Sequence, residues 1–177
     1  SLPPEEETLD DGFLYYPEED RWEFLNATQR PAGRCRHAAL WTGEGLYVYG
    51  GVGGALGEPV YGGAYLDFST REWHPLPTEG MPEASSFPPS LVWTGSKLLA
   101  WGGAIYDKAA QAMLYYGTGA AYDPKTGRWS PLSTRGAPTA RHEHLAVWTG
   151  REMVIWGGVN EDGWLSDGGA YDPATDS

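Results

Sequence analysis

A chain of 177 residues can bury a substantial core and would ordinarily make one domain. Its 12 Lys+Arg against 24 Asp+Glu give a formal net charge of -12, and so acidic a surface repels phosphate backbones and anionic lipid, which makes nucleic acid and membrane surfaces poor partners. Cys35 is the only cysteine, which excludes an intrachain disulfide framework, and no apolar run approaches the roughly 20 residues needed to cross a bilayer.

The chain opens on an acidic, Pro- and Glu-rich segment, residues 1–11, expected to be flexible. Its start, Ser1-Leu2-Pro3-Pro4-Glu5-Glu6-Glu7, has neither the basic residues nor the apolar stretch of a signal peptide. Residues 12–30 hold a partial repeat, with strands predicted at 13–16 and 21–25. Fuller copies follow at 34–78, 85–134 and 140–177, a period of about 50 to 55 residues. Trp41-Thr42-Gly43 returns as Trp93-Thr94-Gly95 and Trp148-Thr149-Gly150. Gly50-Gly51 returns as Gly102-Gly103 and Gly157-Gly158. Gly63-Ala64-Tyr65 through Trp73 aligns with Ala120-Ala121-Tyr122 through Trp129, and the last copy carries Gly169-Ala170-Tyr171.

Each anchor has a physical reason. The apolar run before each Trp-Thr-Gly predicts a buried strand, and Thr-Gly supplies a hairpin in which Gly takes a positive φ. A second strand follows at 46–49, 98–101 and 153–156, nearly all apolar, as expected when both faces are covered. The Gly-Gly pair ends that strand where backbones crowd. A third strand carries the Tyr, Asp-Pro-x-Thr makes a turn, and an outer strand carries Trp before Pro75-Leu76 or Pro131-Leu132.

Gly-Gly, then Tyr, then Trp about seven residues on, with Arg-x-x-His opening the first strand (Arg34 with His37, Arg141 with His144), resembles the kelch family over residues 12–177. The resemblance implies an all-β fold of kelch-type β-propeller blades, each of four antiparallel strands, with about three blades in this chain. The middle copy departs from the pattern, with Ser86 and Pro89 where the others have Arg and His. Closed propellers have four to eight blades, so two arrangements stay open: a piece of a six- or seven-bladed protein, or a homodimer completing a six-bladed ring by strand exchange. The Trp-Thr-Gly and Trp-Gly-Gly wording resembles bacterial kelch proteins, which implies an exported location.

Few residues suggest chemistry. His142-x-His144 has strand spacing for a shared face, but a zinc or copper site needs three or four ligands. His144 and His37 also share one repeat position, so these residues are read as framework, and no metal or other cofactor is expected. The same reading covers Arg34, Arg141, Gly50, Gly51, Gly102, Gly103, Gly157, Gly158, Tyr65, Tyr122, Tyr171, Trp73 and Trp129. The kelch resemblance also brings in copper-radical oxidases, for which Cys35 would serve as the Tyr-linked cysteine, and sialic-acid mutarotases. Asn160-Glu161-Asp162-Gly163 lacks the alternating acids of a calcium loop and reads as a solvated turn.

What varies between copies is the stretch after each Gly-Gly: 52–62, 104–118 and 159–167. Such insertions fall on one face of repeat proteins, often the binding face. The candidate contact residues are Tyr61, Tyr106, Asp107, Tyr115, Tyr116, Asn160, Glu161, Asp162 and Trp164. Exposed Tyr and Trp beside charges suit a protein partner or the stacking of sugar rings. The expectation is a non-enzymatic binding module, with no catalytic residues, for a protein or carbohydrate.

Overall fold

The computed structural model describes residues 8–54, 57–83 and 85–177, so part of the acidic segment 1–11 lies outside the described residues. All regular elements described are strands. In chain order they are β1 (Phe13–Tyr16), β2 (Arg21–Phe24), β3 (Ala38–Trp41), β4 (Gly45–Tyr49), β5 (Val52–Gly53), β6 (Glu58–Pro59), β7 (Gly63–Asp67), β8 (Glu72–Pro75), β9 (Ser90–Trp93) and β10 (Leu98–Trp101). Then come β11 (Ala104–Asp107), β12 (Ala112–Tyr115), β13 (Gly119–Asp123), β14 (Arg128–Pro131), β15 (Leu145–Trp148), β16 (Met153–Trp156), β17 (Val159–Asn160), β18 (Gly163–Trp164) and β19 (Gly168–Tyr171).

Two four-stranded antiparallel sheets, β3-β4-β7-β8 and β9-β10-β13-β14, are complete kelch-type blades. A three-stranded sheet, β15-β16-β19, is a third. The pair β1-β2 repeats the outer two strands of a blade: Tyr15 faces Trp22 across it as Tyr122 faces Trp129. This hairpin does not complete the third blade within the chain. It sits on the first, where Leu25 and Ala27 pack with Val48, Leu66 and Trp73 and Trp73 N–H donates to Thr28 O at 3.1 Å.

The turns follow from the anchors. In each Trp-Thr-Gly hairpin the Thr hydroxyl oxygen accepts the amide three residues on, as Thr149 does from Glu152 at 3.0 Å. In the outer turns of the three blades an Asp carboxylate accepts the amide two residues on, as Asp123 does from Lys125 at 2.9 Å.

The register corrects one alignment. Tyr122 pairs with Leu98 and Tyr171 with Met153, and the residue pairing with Leu46 is Leu66. Leu66, rather than Tyr65, therefore holds the repeat position of Tyr122 and Tyr171. Strand faces alternate, so Tyr65 turns the other way, onto Tyr47, with ring centroids 4.7 Å apart.

Blades stack face to face. Tyr47 and Tyr49 of the first blade pack on Leu98, Ala100, Tyr122 and Trp129 of the second. Leu99 and Trp101 of the second pack on Met153 and Ile155 of the third. Strand β10 is covered from both sides, which is why its four residues are all buried and all apolar.

The Gly-Gly pair is set by crowding. A Cβ on Gly158 would stand 2.7 Å from His142 O and 2.9 Å from His144 Cβ, whereas one on Gly150, in the Thr-Gly hairpin, would meet nothing within 4 Å. Their φ values, +95° and +97°, are nearly the same, so the pair separates backbone strain from crowding. Gly150→Ala is expected to cost ~1 kcal/mol from strain alone. Gly158→Ala should cost ~3 kcal/mol or more because backbone must also move. Urea unfolding of the two variants checks this; equal losses would contradict it.

Candidate functional site

The stretches after Gly-Gly are small hairpins rather than irregular loops. They are β5-β6, β11-β12 and β17-β18, each a two-stranded sheet of its own. Each is rooted on the segment that leads into its own blade, through the backbone bridges Cys35↔Val52, Phe87↔Ala104 and His142↔Val159. At each neck the first Gly donates its N–H across the base: Gly50 to Gly62 O, Gly102 to Thr118 O and Gly157 to Asp167 O, at 2.9–3.0 Å.

A guanidinium closes two of the three necks. Arg141, wholly buried, donates from one terminal nitrogen to Gly157 O at 3.0 Å and Asp167 O at 3.2 Å, and from Nε to Thr139 O at 2.9 Å. The same terminal nitrogen lies 2.9 Å from the Asp167 carboxylate. Arg34 reaches the matching carbonyls, Gly50 O and Gly62 O, at 3.3 and 3.5 Å. A fixed fork of N–H donors suits this, because convergent carbonyls must be satisfied at one point. In the middle blade Ser86 stands at this position.

His142 and His144 lie at the junction of the second and third blades. His144 packs edge-on to Trp101, centroids 5.2 Å apart, and both of its ring nitrogens are buried. Burial, reinforced by Arg141 and His142, pushes its pKa down to about 4. His142 lies against Phe87 (4.5 Å) and Tyr115 (5.6 Å), and burial lowers its pKa too. His37 is exposed; its pKa is lowered by partial burial and by Arg34. Pro89 fills the same position in the middle blade and is fully buried. Cys35 is exposed and shares its bridging position with Phe87 and His142. Among the described residues no group of three or more His, Cys, Asp or Glu gathers as metal ligands would.

The predicted contact residues divide. Tyr61, Tyr106 and Trp164, one on or beside each hairpin, are 70%, 49% and 84% exposed. Lys108 Nζ meets Glu58 Oε1 at 2.7 Å, joining the first two hairpins; both groups are exposed, so the pair aligns more than it stabilises. Tyr116 lies near Tyr61 and Glu83, its hydroxyl pKa raised by burial first and Glu83 second. Tyr115 is half-buried on His142. Asp107 Oδ1 accepts the amides of Ala109 and Ala110 at 2.8 and 3.1 Å. Buried Asn160 accepts from Asp162 N–H at 2.9 Å. Asp107 and Asn160 thus shape the hairpin turns, while Glu161 and Asp162 stand exposed.

A second surface was not singled out from the sequence. Arg36, Pro88 and Glu143 occupy one repeat position at the entry to the innermost strands. With Ala38, Phe87, Pro89 and Ser90 they line an open groove of about 610 Å³. Arg36 and Glu143 share a left-handed backbone, φ 54° and 55°. The available signal was their variation beside the repeat-fixed Arg and His.

No family model matches the chain. Over 165 residues it is 24% identical to a kelch domain-containing protein of Archaeoglobus fulgidus, covering 90% of this chain and 44% of that protein. Over 158 residues it is 28% identical to human kelch repeat and BTB domain-containing protein 13, covering 84% and 32%. The chain is similar to kelch-repeat proteins. Over 140 residues it is also 29% identical to an N-(sulfonatooxy)prop-2-enimidothioate sulfolyase of Thlaspi arvense, covering 76% and 38%. The chain spans less than half the length of each relative.

The buried histidine makes these kelch-type blades pH-sensitive. Folded His144 titrates at about 4 against 6.5 for a free histidine, so between those values the unfolded chain binds a proton that the folded chain does not. Stability is therefore complete above pH 6.5 and falls as pH drops towards 4, by ~3 kcal/mol. Urea midpoints across this range should show that slope, and His144→Leu should reduce it to the share that His142 and His37 contribute. An unchanged slope in the variant would contradict the assignment.

Proposed function

We propose that the chain is a protein-binding scaffold that uses the hairpin-bearing end of its kelch-type blades, residues 34–78, 85–134 and 140–177. One observation carries this: Tyr61, Tyr106 and Trp164 stand exposed on three hairpins that all rise from the same strand junction of their blades. Large rigid aromatics lose little side-chain entropy on contact and dominate binding energy. The kelch names of two relatives favour the same role. With a net charge of -12, and with Glu161 and Asp162 beside Trp164, the preferred partner surface is basic and partly apolar.

The test is capture of partners from a lysate of the source cell by the chain and by a Tyr61→Ala, Trp164→Ala double variant, with a glycan array run in parallel. The variant should keep its melting temperature and bind the captured partner about tenfold or more weakly. Undiminished capture would overturn the rim as the binding surface. Aromatic-dependent glycan binding without protein capture would replace the protein partner with a carbohydrate.

Assembly with a second copy belongs to the same proposal. Phe13, Tyr15, Trp22 and Phe24 on the N-terminal hairpin, and Leu145, Val147 and Trp156 on the third blade, are exposed apolar faces. They match in repeat position the faces that join the blades within the chain. Light scattering should give twice the chain mass of 19.3 kDa; a monomer at high micromolar concentration would contradict it.

A second reading, catalysis on a small molecule, is favoured by the sulfolyase relative and by the opposed charges of Arg36 and Glu143 around the groove. A thermal-shift screen of sugars and organic acids tests it. A stabilising hit lost in Arg36→Met and kept in Trp164→Ala would install this reading.

A further inference from the structure

At the Thr-Gly end of the blades, away from the hairpin rim, a cleft of about 290 Å³ opens between the first and second blades. Both of these blades are complete four-stranded sheets. Four rings line the cleft: Tyr47 and Tyr65 from the first blade, Trp93 and Tyr122 from the second. Tyr47, buried at its floor, touches the other three, with centroids 4.7 Å from Tyr65, 6.0 Å from Trp93 and 6.4 Å from Tyr122.

Blade packing does not require tyrosine at both first-blade positions. Cross-strand pairing sets Tyr47 opposite Tyr65 in the first blade, Leu99 opposite Ala121 in the second and Val154 opposite Ala170 in the third. Trp93 and Tyr122, by contrast, hold repeat positions that Trp148 and Tyr171 share. The first blade therefore adds two rings to the two that the framework supplies.

Charge separates this cleft from its counterpart as well. Its lining includes Glu44 and no Lys or Arg, whereas the matching cleft between the second and third blades is lined by Lys97 and Arg151 and by no tyrosine. Burial first, then Asp67 and Glu44, raise the pKa of the Tyr65 hydroxyl, against a hydrogen bond with Thr42 that lowers it. Negative charge thus gathers at the mouth beside that ring. Aromatic faces attract a cation, and a carboxylate at the mouth adds to the attraction. A primary ammonium would bring N–H groups that ring faces leave without acceptors, at a cost. A quaternary ammonium has none. An uncharged ligand would use the faces but not the acid.

We infer that this cleft is a binding site for a small quaternary ammonium compound, held against the faces of Tyr47, Tyr65, Trp93 and Tyr122 with Glu44 at the mouth. The site lies at the other end of the blades from the proposed protein-binding rim and does not rest on that reading.

The test is a proton NMR titration of the intact chain with choline and with neohexyl alcohol, in which carbon replaces the charged nitrogen. The choline methyl signal should move upfield under the ring currents, and choline should bind saturably, about tenfold tighter than the alcohol. Tyr65→Ala installs the residue of the other two blades, so it should fold, and it should weaken choline binding about tenfold. Glu44→Gln should weaken it about two- to fivefold. Trp164→Ala should leave it unchanged, which separates the cleft from the rim. If Tyr65→Ala fails to fold by circular dichroism, Tyr47→Leu, the residue of the second blade, serves in its place. Equal binding of choline and the alcohol, undiminished binding in the folded tyrosine variant, or no binding of choline to the folded chain overturns the site.

Discussion

The packing of one blade's face on the next is the interaction on which the rest of this molecule depends. Each blade is a sheet of three or four short strands, and the faces it turns to its neighbours are the core. The junction of Tyr47 and Tyr49 with Leu98, Ala100, Tyr122 and Trp129 buries several large rings. At roughly 25 cal/mol per Å² and 150–250 Å² per aromatic, each ring contributes a few kcal/mol before entropy is counted. That requirement explains the composition, since strands covered on both faces must be apolar throughout, and blades this close need glycine where backbones meet.

The same constraint decides which tempting residues are spoken for. Arg141 and Arg34 bind carbonyls at the hairpin necks, and His144 is a packing surface for Trp101. Once these are assigned to the scaffold, two kinds of surface remain variable between copies. One is the set of hairpins that rise from the necks. The other is the groove entry at Arg36, Pro88 and Glu143. Placing variable residues on a rigid, repeat-fixed base is how a stable scaffold carries a changeable contact surface.

Much of the fold was legible because repeats print their constraints several times. The four-stranded blades, the positive φ in the Thr-Gly hairpins and the crowding at the Gly-Gly pairs all follow from anchors spaced at one period. Two things were not legible. The alignment of Tyr65 with Tyr122 was one residue out, because Ala-Tyr and Ala-Ala-Tyr look alike in sequence and only pairing with β4 and β10 fixes the register. The stretches after Gly-Gly read as loops because their hairpins are short and mixed in polarity; the bridge from each to its entry segment is a backbone interaction with no side-chain signature. Within the candidate site, exposure at Tyr61 and Trp164 followed from their being apolar residues in variable stretches. The capping roles of Asp107 and Asn160 needed coordinates.

The central claim is that blade-on-blade packing carries the stability and leaves the hairpins as a separate, weaker layer. Amide hydrogen exchange of the intact chain tests it most directly. The account predicts the slowest exchange in β10, which is buried between two blades, then in β4 and β16, with β17, β18 and the β1-β2 hairpin exchanging far faster. Protection that is uniform along the chain, or greatest in the hairpins, would contradict it.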